Sequence, residues 1–244
     1  MGLFTAMRNT VEWMMQLLHP HRCVLCRKTL PTGSGAMICP DCAPRLRQEY
    51  RNTKPIFVSG ADSADAPLLY TGAVAGALKR YKFHGNTALC KWFSAQAAAC
   101  LSGHLAEWQP DCLTYVPLGT VRWWVRGFNQ SRAAARQIGR ALGLPVCAAL
   151  GKHPRAGKQS HRSAEQRQQA AKNLFFAFPG ASLHGKRVVL VDDILTSGAT
   201  AADAVRALRA AGASHVFVLT LARTPSRQPF QGRKDCAAQS QSNH

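Results

Sequence analysis

Arg187-Val188-Val189-Leu190-Val191-Asp192-Asp193-Ile194-Leu195-Thr196-Ser197-Gly198-Ala199-Thr200 decides the fold of this 244-residue chain. Residues 188–191 form an unbroken aliphatic run, as a strand buried on both faces requires. The run ends in two adjacent acids, so Asp192 and Asp193 fall at the carboxyl edge of a sheet, where open α/β folds bind ligands. Neighbouring carboxylates there can accept hydrogen bonds from two adjacent sugar hydroxyls. Thr196, Ser197, Gly198, Ala199 and Thr200 then supply hydroxyls and free backbone N–H groups at a helix start. Dipole and geometry make such a start an anion site. Gly198 permits close approach or positive φ. Strand, acid pair, small-residue loop and helix, in that order, describe a pocket for a phosphorylated sugar. The competing phosphate motifs, G-x-x-x-x-G-K-[ST] and G-x-G-x-x-G after a strand, are absent from the sequence.

Outward from this stretch, strand and helix patterns alternate. A helix over 200–211 buries Ala201, Ala204, Val205 and Leu208, exposes Asp203, Arg206 and Arg209, and stops at Gly212. A strand follows at 216–221. Upstream, strands are expected at 113–116 and 146–150. Between them a helix over 129–142 turns Ala134, Ile138, Ala141 and Leu142 inward and stops at Gly143. The alternation predicts βαβ units and a parallel sheet. Helices are expected at 72–81 and 87–101, with a short strand at 68–70. Residues 51–66 read as a linker, and 152–172 as a polar, basic, glutamine-rich segment. From residue 224 the chain is polar and expected to be disordered.

Nine cysteines are present, and four form Cys23-x-x-Cys26 and Cys39-x-x-Cys42 with twelve residues between the pairs. Two such knuckles place four thiolates on one tetrahedral ion, the structural zinc arrangement. The alternatives are two disulfides or a redox pair. No export signal is evident, so the chain is expected to be cytoplasmic, where disulfides are rare. Cys90, Cys100, Cys112 and Cys147 lie in apolar surroundings and read as small buried residues. Cys236 lies in the polar tail, and none of these five is assigned chemistry.

Thirty-one Lys and Arg face twelve Asp and Glu, a net charge of +19. Such a surplus implies anionic partners: nucleic acid, phosphorylated metabolites or an acidic membrane surface. From Cys112 to Val191 there are thirteen basic residues and one acid, Glu165. Arg132, Arg136 and Arg140 recur at helical spacing, with Trp123, Trp124 and Phe128 interleaved upstream among Arg122 and Arg126. Aromatics among arginines suit single-stranded nucleic acid, where rings stack bases and arginines track phosphates. A solvated helix face with the tryptophans in the core is the competing reading, and both stand at this point. No apolar run reaches membrane-span length. Residues 1–18 show amphipathic helical spacing and are expected to pack on the body. Membrane-surface contact is the lesser alternative.

Tyr115-Val116-Pro117-Leu118 ends another strand and offers either a second backbone cradle, for pyrophosphate, or a simple proline turn. Arg126 could then stabilise a leaving anionic group. In Lys79-Arg80-Tyr81-Lys82-Phe83-His84, charge solvation is the default, with Lys79 or Lys82 able to face a ligand.

The stretch from Asp192 through Thr200 resembles the phosphoribosyl pyrophosphate (PRPP) loop of type I phosphoribosyltransferases. Several motifs in one order widen the likeness: the paired C-x-x-C ribbon, Tyr70-Thr71-Gly72 with Leu78-Lys79, Val116-Pro117-Leu118, Arg126-Gly127-Phe128-Asn129-Gln130, Asn173-Leu174-Phe175-Phe176-Ala177-Phe178, and the acid pair with its loop. Together they resemble the ComF family of DNA-uptake competence proteins and the similar GntX proteins linked to use of DNA as a nutrient. Ala170 stands where that family commonly has arginine, with Arg167 one turn away. The resemblance implies an α/β fold, a type I phosphoribosyltransferase-like parallel sheet flanked by helices, with a small N-terminal four-cysteine zinc ribbon. It divides the chain into an N-terminal helix and ribbon (1–55), a phosphoribosyltransferase-like domain (56–224) and a disordered tail (225–244). It implies PRPP or a related ribose 5-phosphate held with Mg²⁺ by Asp192, Asp193 and Thr196 through Thr200, with help from Arg126. It also implies the DNA-uptake machinery as a partner, to which the arginine and aromatic pattern adds single-stranded DNA. The alternative is an active PRPP-dependent transferase of nucleobase or nucleotide salvage.

Overall fold

A computed structural model describes residues 21–31, 34–51, 56–84, 86–119, 127–153 and 173–225. Its elements are, in chain order, helix α1 (Cys42–Arg51), strand β1 (Ser63–Asp65), helices α2 (Gly72–His84), α3 (Thr87–Ser102) and α4 (Leu105–Trp108), strand β2 (Cys112–Tyr115), helix α5 (Gln130–Leu142), strands β3 (Leu150–Lys152), β4 (Phe175–Ala177) and β5 (Arg187–Leu195), helix α6 (Ala199–Ala210) and strand β6 (His215–Arg223). The expected helix over 1–18, Trp123, Trp124, Arg126, most of the 152–172 segment and the tail from 226 onward lie outside the described residues.

The decisive stretch forms the interior of a parallel sheet of order β1-β6-β5-β2. Val188, Val189, Leu190 and Val191 are fully buried, as an interior strand covered on both faces demands. Their alternation divides the core. Val189 and Val191 join Phe217 and Leu219 under residues of α2, α3 and α5. Val188 and Leu190 join Val216 and Val218 under Ala201, Ala204, Val205 and Leu208 of α6. Asn86 caps α3 by accepting from the backbone N–H groups of Ala88 and Leu89 at 2.9 and 3.2 Å. Asn129 caps α5, accepting from Arg132 N at 3.0 Å, and Gly143 ends it at φ 69°. Asparagine oxygens satisfying first-turn donors are the expected start signal.

Four expectations need correction. Residues 63–65, read as linker, form edge strand β1 paired with β6, and Leu69 bridges the same strand further on. The expected strand at 146–150 is split: Val146 makes one parallel bridge to Leu113, while residues 150–152 turn away into a separate antiparallel pair with β4. Asp203, expected in solvent, is 6% exposed. It accepts hydrogen bonds from Leu174 N (2.7 Å), Phe175 N (2.9 Å) and Arg206 Nε (3.0 Å), so strand-end donors without ladder partners pull it inward. Ala141, placed on the inner face, is exposed. Gly139 is buried instead, because a Cβ there would meet Leu144 O and Val146 at 2.6 Å.

The cysteine ribbon is not freestanding. Cys23, Leu25, Leu30, Cys39 and Cys42 belong to the same apolar cluster as Val74, Leu78 and Tyr81 of α2.

Candidate functional site

β5 delivers Asp192 and Asp193 to the carboxyl edge of the sheet, both half-buried. Asp192 Oδ1 accepts from Asp193 N at 2.8 Å and from Ser131 Oγ on α5 at 3.1 Å. Lys82 of α2 places Nζ 3.0 Å from Asp193 Oδ2. A chain of bonds holds that lysine in position. Gln130 Nε2 donates to Lys82 O at 2.8 Å, and Tyr81 OH donates to Gln130 O at 3.0 Å. Burial first, and then the neighbouring Asp193 charge, raise the Asp192 carboxyl to about 7 against the hydrogen bonds and Lys82. Near neutral pH this group therefore takes or releases a proton readily, and a cation or hydroxyl donors at its oxygens would favour the charged form.

Thr196, Ser197, Ala199 and Thr200 are exposed beside the acids, at the start of α6. Gly198 is the N-cap at φ 76°. A Cβ there would meet nothing closer than Phe57 O at 3.9 Å, so the backbone conformation, rather than crowding, calls for glycine. First-turn N–H groups have no intrahelical acceptor. Val116 N donates to Val191 O at 3.1 Å, continuing the ladder past β2, and Asn129 Nδ2 donates to Val116 O at 3.1 Å. Pro117 and Leu118 thereby reach the same cleft. It measures about 210 Å³ and is lined by both acids, Lys82, Ser131, Lys152, Thr196, Gly198 and Thr200, while Ser197 and Ala199 of the same loop fall outside the lining. A larger groove of about 560 Å³ lies elsewhere, against β4 and α6, and its lining contains no carboxylate. Volume therefore does not pick out the chemistry here.

The structure thus brings Asp192, Asp193, Thr196, Gly198 and Thr200 to one cleft. It adds Ser131, which carries no signal in the sequence, and Lys82, read there mainly as a solvated charge. Arg132, Arg136 and Arg140 are all exposed along α5. Phe128 does not join them. Its ring is half-buried, edge-on to Tyr81 at 5.9 Å.

At the N-terminal end, the sulfurs of Cys23, Cys26, Cys39 and Cys42 all lie within 4.8 Å of one another, and this cluster can hold a metal ion. Tight turns shape both knuckles: Arg27 N donates to Cys23 O at 2.9 Å, Arg27 adopts φ 69°, and Cys42 N donates to Cys39 O at 3.1 Å. Cys26 and Cys39 sulfurs are 3.5 Å apart, near the ~3.8 Å that ~2.3 Å bonds to a tetrahedral ion give. Burial opposes ionisation of Cys23, but hydrogen bonds from nearby backbone N–H groups, Cys39 N at 3.3 Å among them, bring its thiol down to about 6. The described cysteines are free thiols. Arg80 of α2 binds this region to the body, donating to Val24 O at 2.8 Å and Leu25 O at 2.7 Å.

Residues 127–240 match the phosphoribosyl transferase domain model. The class is accordingly an α/β protein with a phosphoribosyltransferase-like domain and an N-terminal cysteine cluster able to bind metal. Among solved structures, the glutamine PRPP amidotransferase from B. subtilis aligns with a TM-score of 0.42 and 26% identity, over 59% of this chain and 30% of that one. The DNA utilization protein YhgH of Salmonella typhi is 38% identical over 117 residues, 47% of this chain and 50% of that protein, so the match spans about half its length. Competence protein ComFC of Streptococcus pneumoniae is 30% identical over 191 residues, 78% of this chain and 82% of that protein. The chain belongs to the ComF family. Among the described residues, no helix is long and apolar enough to cross a membrane.

Proposed function

We propose that this protein binds PRPP, or a closely related ribose 5-phosphate, with Mg²⁺ in the cleft at the end of β5, and that it serves the uptake or use of DNA. The observation that carries the reading is the convergence of an acid pair and a helix-start loop in one small cleft. Asp192 and Asp193 accept the two ribose hydroxyls, and the N–H groups and hydroxyls of Thr196 through Thr200 take the 5′-phosphate. Pro117 and Leu118 border the space for pyrophosphate, and Arg126, outside the described residues, is the candidate for its charge. The oxygen-rich donor set suits a hard cation, and Mg²⁺ would neutralise phosphate charge there. Lys82 keeps Asp193 compensated before the ligand arrives. The four cysteines hold structural zinc, since all four tetrahedral positions come from protein. The exposed Arg132, Arg136 and Arg140 row tracks the phosphates of single-stranded DNA, and the names of the DNA utilization and competence relatives support a DNA role.

Calorimetric titration with PRPP and Mg²⁺ tests the cleft. Asp192→Asn with Asp193→Asn is expected to weaken binding at least about 100-fold, on the order of 3 kcal/mol for two lost charge-assisted contacts. Wild-type affinity in that variant would end the assignment. Pyrophosphate release from PRPP against a panel of nucleobases, with and without single-stranded DNA, separates a binding protein from a salvage transferase.

A further inference from the structure

A second cluster of ligating side chains sits at the opposite edge of the sheet from β2, beneath α3. Asp65 ends β1, Cys100 lies in the last turn of α3, and His104 immediately precedes α4. Cys100 Sγ donates to Asp65 Oδ2 at 3.3 Å, and His104 Nε2 lies 2.8 Å from the same oxygen. The three ligand atoms all fall within 4.8 Å of one another. One carboxylate oxygen thus gathers a thiol and an imidazole from separate elements, and we propose that Asp65, Cys100 and His104 form a second zinc site, with an open fourth position.

Each ligand is already oriented. Asp65 Oδ1, the oxygen not shared with the cluster, accepts from Ala66 N at 2.7 Å. The His104 ring stacks on Trp108 at 4.4 Å and 11°, and Trp108 stacks on Phe217 at 4.8 Å and 6°. His104 Nδ1 lies 3.9 Å from the exposed Glu107 Oε2, beyond hydrogen-bond length, so the ring is oriented by its stacking on Trp108 and not by that carboxylate. Bonds of ~2.0–2.3 Å in a tetrahedron space ligand atoms roughly 3.3–3.6 Å apart, so the two short contacts open by a few tenths of an ångström to admit the ion. One sulfur, one nitrogen and one oxygen select a borderline-soft ion over Mg²⁺ or Ca²⁺.

The charges balance. Zn²⁺ displaces the Cys100 proton, which leaves to solvent, and the neutral His104 ring binds through Nε2 with its proton on Nδ1, toward Glu107. Thiolate and carboxylate together cancel the 2+ charge. His104 and Asp65 side chains remain 28% and 26% exposed, so water reaches the fourth position. The four-cysteine cluster offers no such place for an exchangeable ligand.

The test is zinc stoichiometry of the full chain, stripped and reloaded under reducing conditions. Two equivalents per chain are expected for the wild type, and one for Cys100→Ser with His104→Asn. Zinc content that the double variant leaves unchanged, whether one equivalent or two, overturns the proposal. Should the variant melt before it can be assayed, cobalt titration of the wild type decides. The second equivalent should bring tetrahedral visible absorption with the charge-transfer intensity of a single thiolate, and its absence sinks the site. Neither measurement uses PRPP, so failure here and failure of the ribose reading are distinguishable. Loss of the four-cysteine zinc alone would leave one equivalent that the same double variant removes.

Discussion

The ribbon and the sheet edge are held in shape by opposite means. Of the described side chains in 21–46, the buried apolar set is three thiols and two leucines: Cys23, Cys39, Cys42, Leu25 and Leu30. β5 and β6 instead bury a double row of aliphatic residues on both faces. Two leucines of its own cannot offset the ordering of some twenty residues at roughly 1–2 kcal/mol each, so the ribbon leans on α2 through its shared apolar cluster and Arg80, whereas the sheet's shape needs nothing bound. The acid pair can therefore stand ready before a ligand arrives, while the proposed zinc would supply what the knuckles lack.

The largest expected effect is on the ribbon. Apparent zinc binding in small cysteine modules is on the order of 10–16 kcal/mol at neutral pH, so chelation, or Cys39→Ser, is expected to erase amide-exchange protection across 21–46. Protection in 187–223 should survive, and its simultaneous collapse would break the contrast. Next comes Leu190→Ala, a fully buried position, which is expected to cost about 2–5 kcal/mol in denaturant melts. Zinc content should stay unchanged in that variant, and loss of metal would show that the two regions do not stand apart.

A smaller effect comes from Asp192→Asn. The folded carboxyl titrates near 7 and the unfolded one near 4, so the folded chain holds an extra proton between those values. Its contribution to stability is fully present below about pH 4 and is lost as pH rises through about 7. Asparagine removes that loss while keeping an oxygen for Ser131 and Asp193 N. The variant is expected to exceed wild type at pH 8 by on the order of 2 kcal/mol, half the ~4 kcal/mol of a three-unit shift because solvent screens the half-buried carboxyl, with the gap closing toward pH 4. A gap that widens on acidification would refute the assigned burial. Smallest in folding terms is Arg132→Ala with Arg136→Ala and Arg140→Ala. Melting should not move, while the slope of log K against log salt for single-stranded DNA should flatten by about 2, at ~0.7 per phosphate contact. An unchanged slope removes the row from the DNA-binding reading.

Legibility follows locality. The β5 run, its acids, the loop and α6 lie within two dozen consecutive residues, so their order is readable directly from the chain, as is the spacing of the four cysteines. What escapes depends on partners far away in sequence. Three residues of β1 carry no period and become a strand only against β6. Asp203 looks like an outward helical acid until Leu174 and Phe175 present unpaired donors to it. Ser131 and Lys82 are an ordinary serine and lysine until α5 and α2 bring them to residues 192 and 193, 61 and 111 positions away. Position 65 reads as linker for the same reason, and its cysteine and histidine partners sit 35 and 39 residues on.

Helix α2 carries one further implication. Arg80 grips the carbonyls of the first knuckle, and two residues later Lys82 grips Asp193. One rigid rod thus has a hand on each site. Any coupling transmitted along it is reciprocal by thermodynamic necessity: whatever factor metal loading adds to ligand affinity, ligand occupancy returns to metal affinity. Arg80 is therefore the place to cut the two titrations apart without touching a ligand of either.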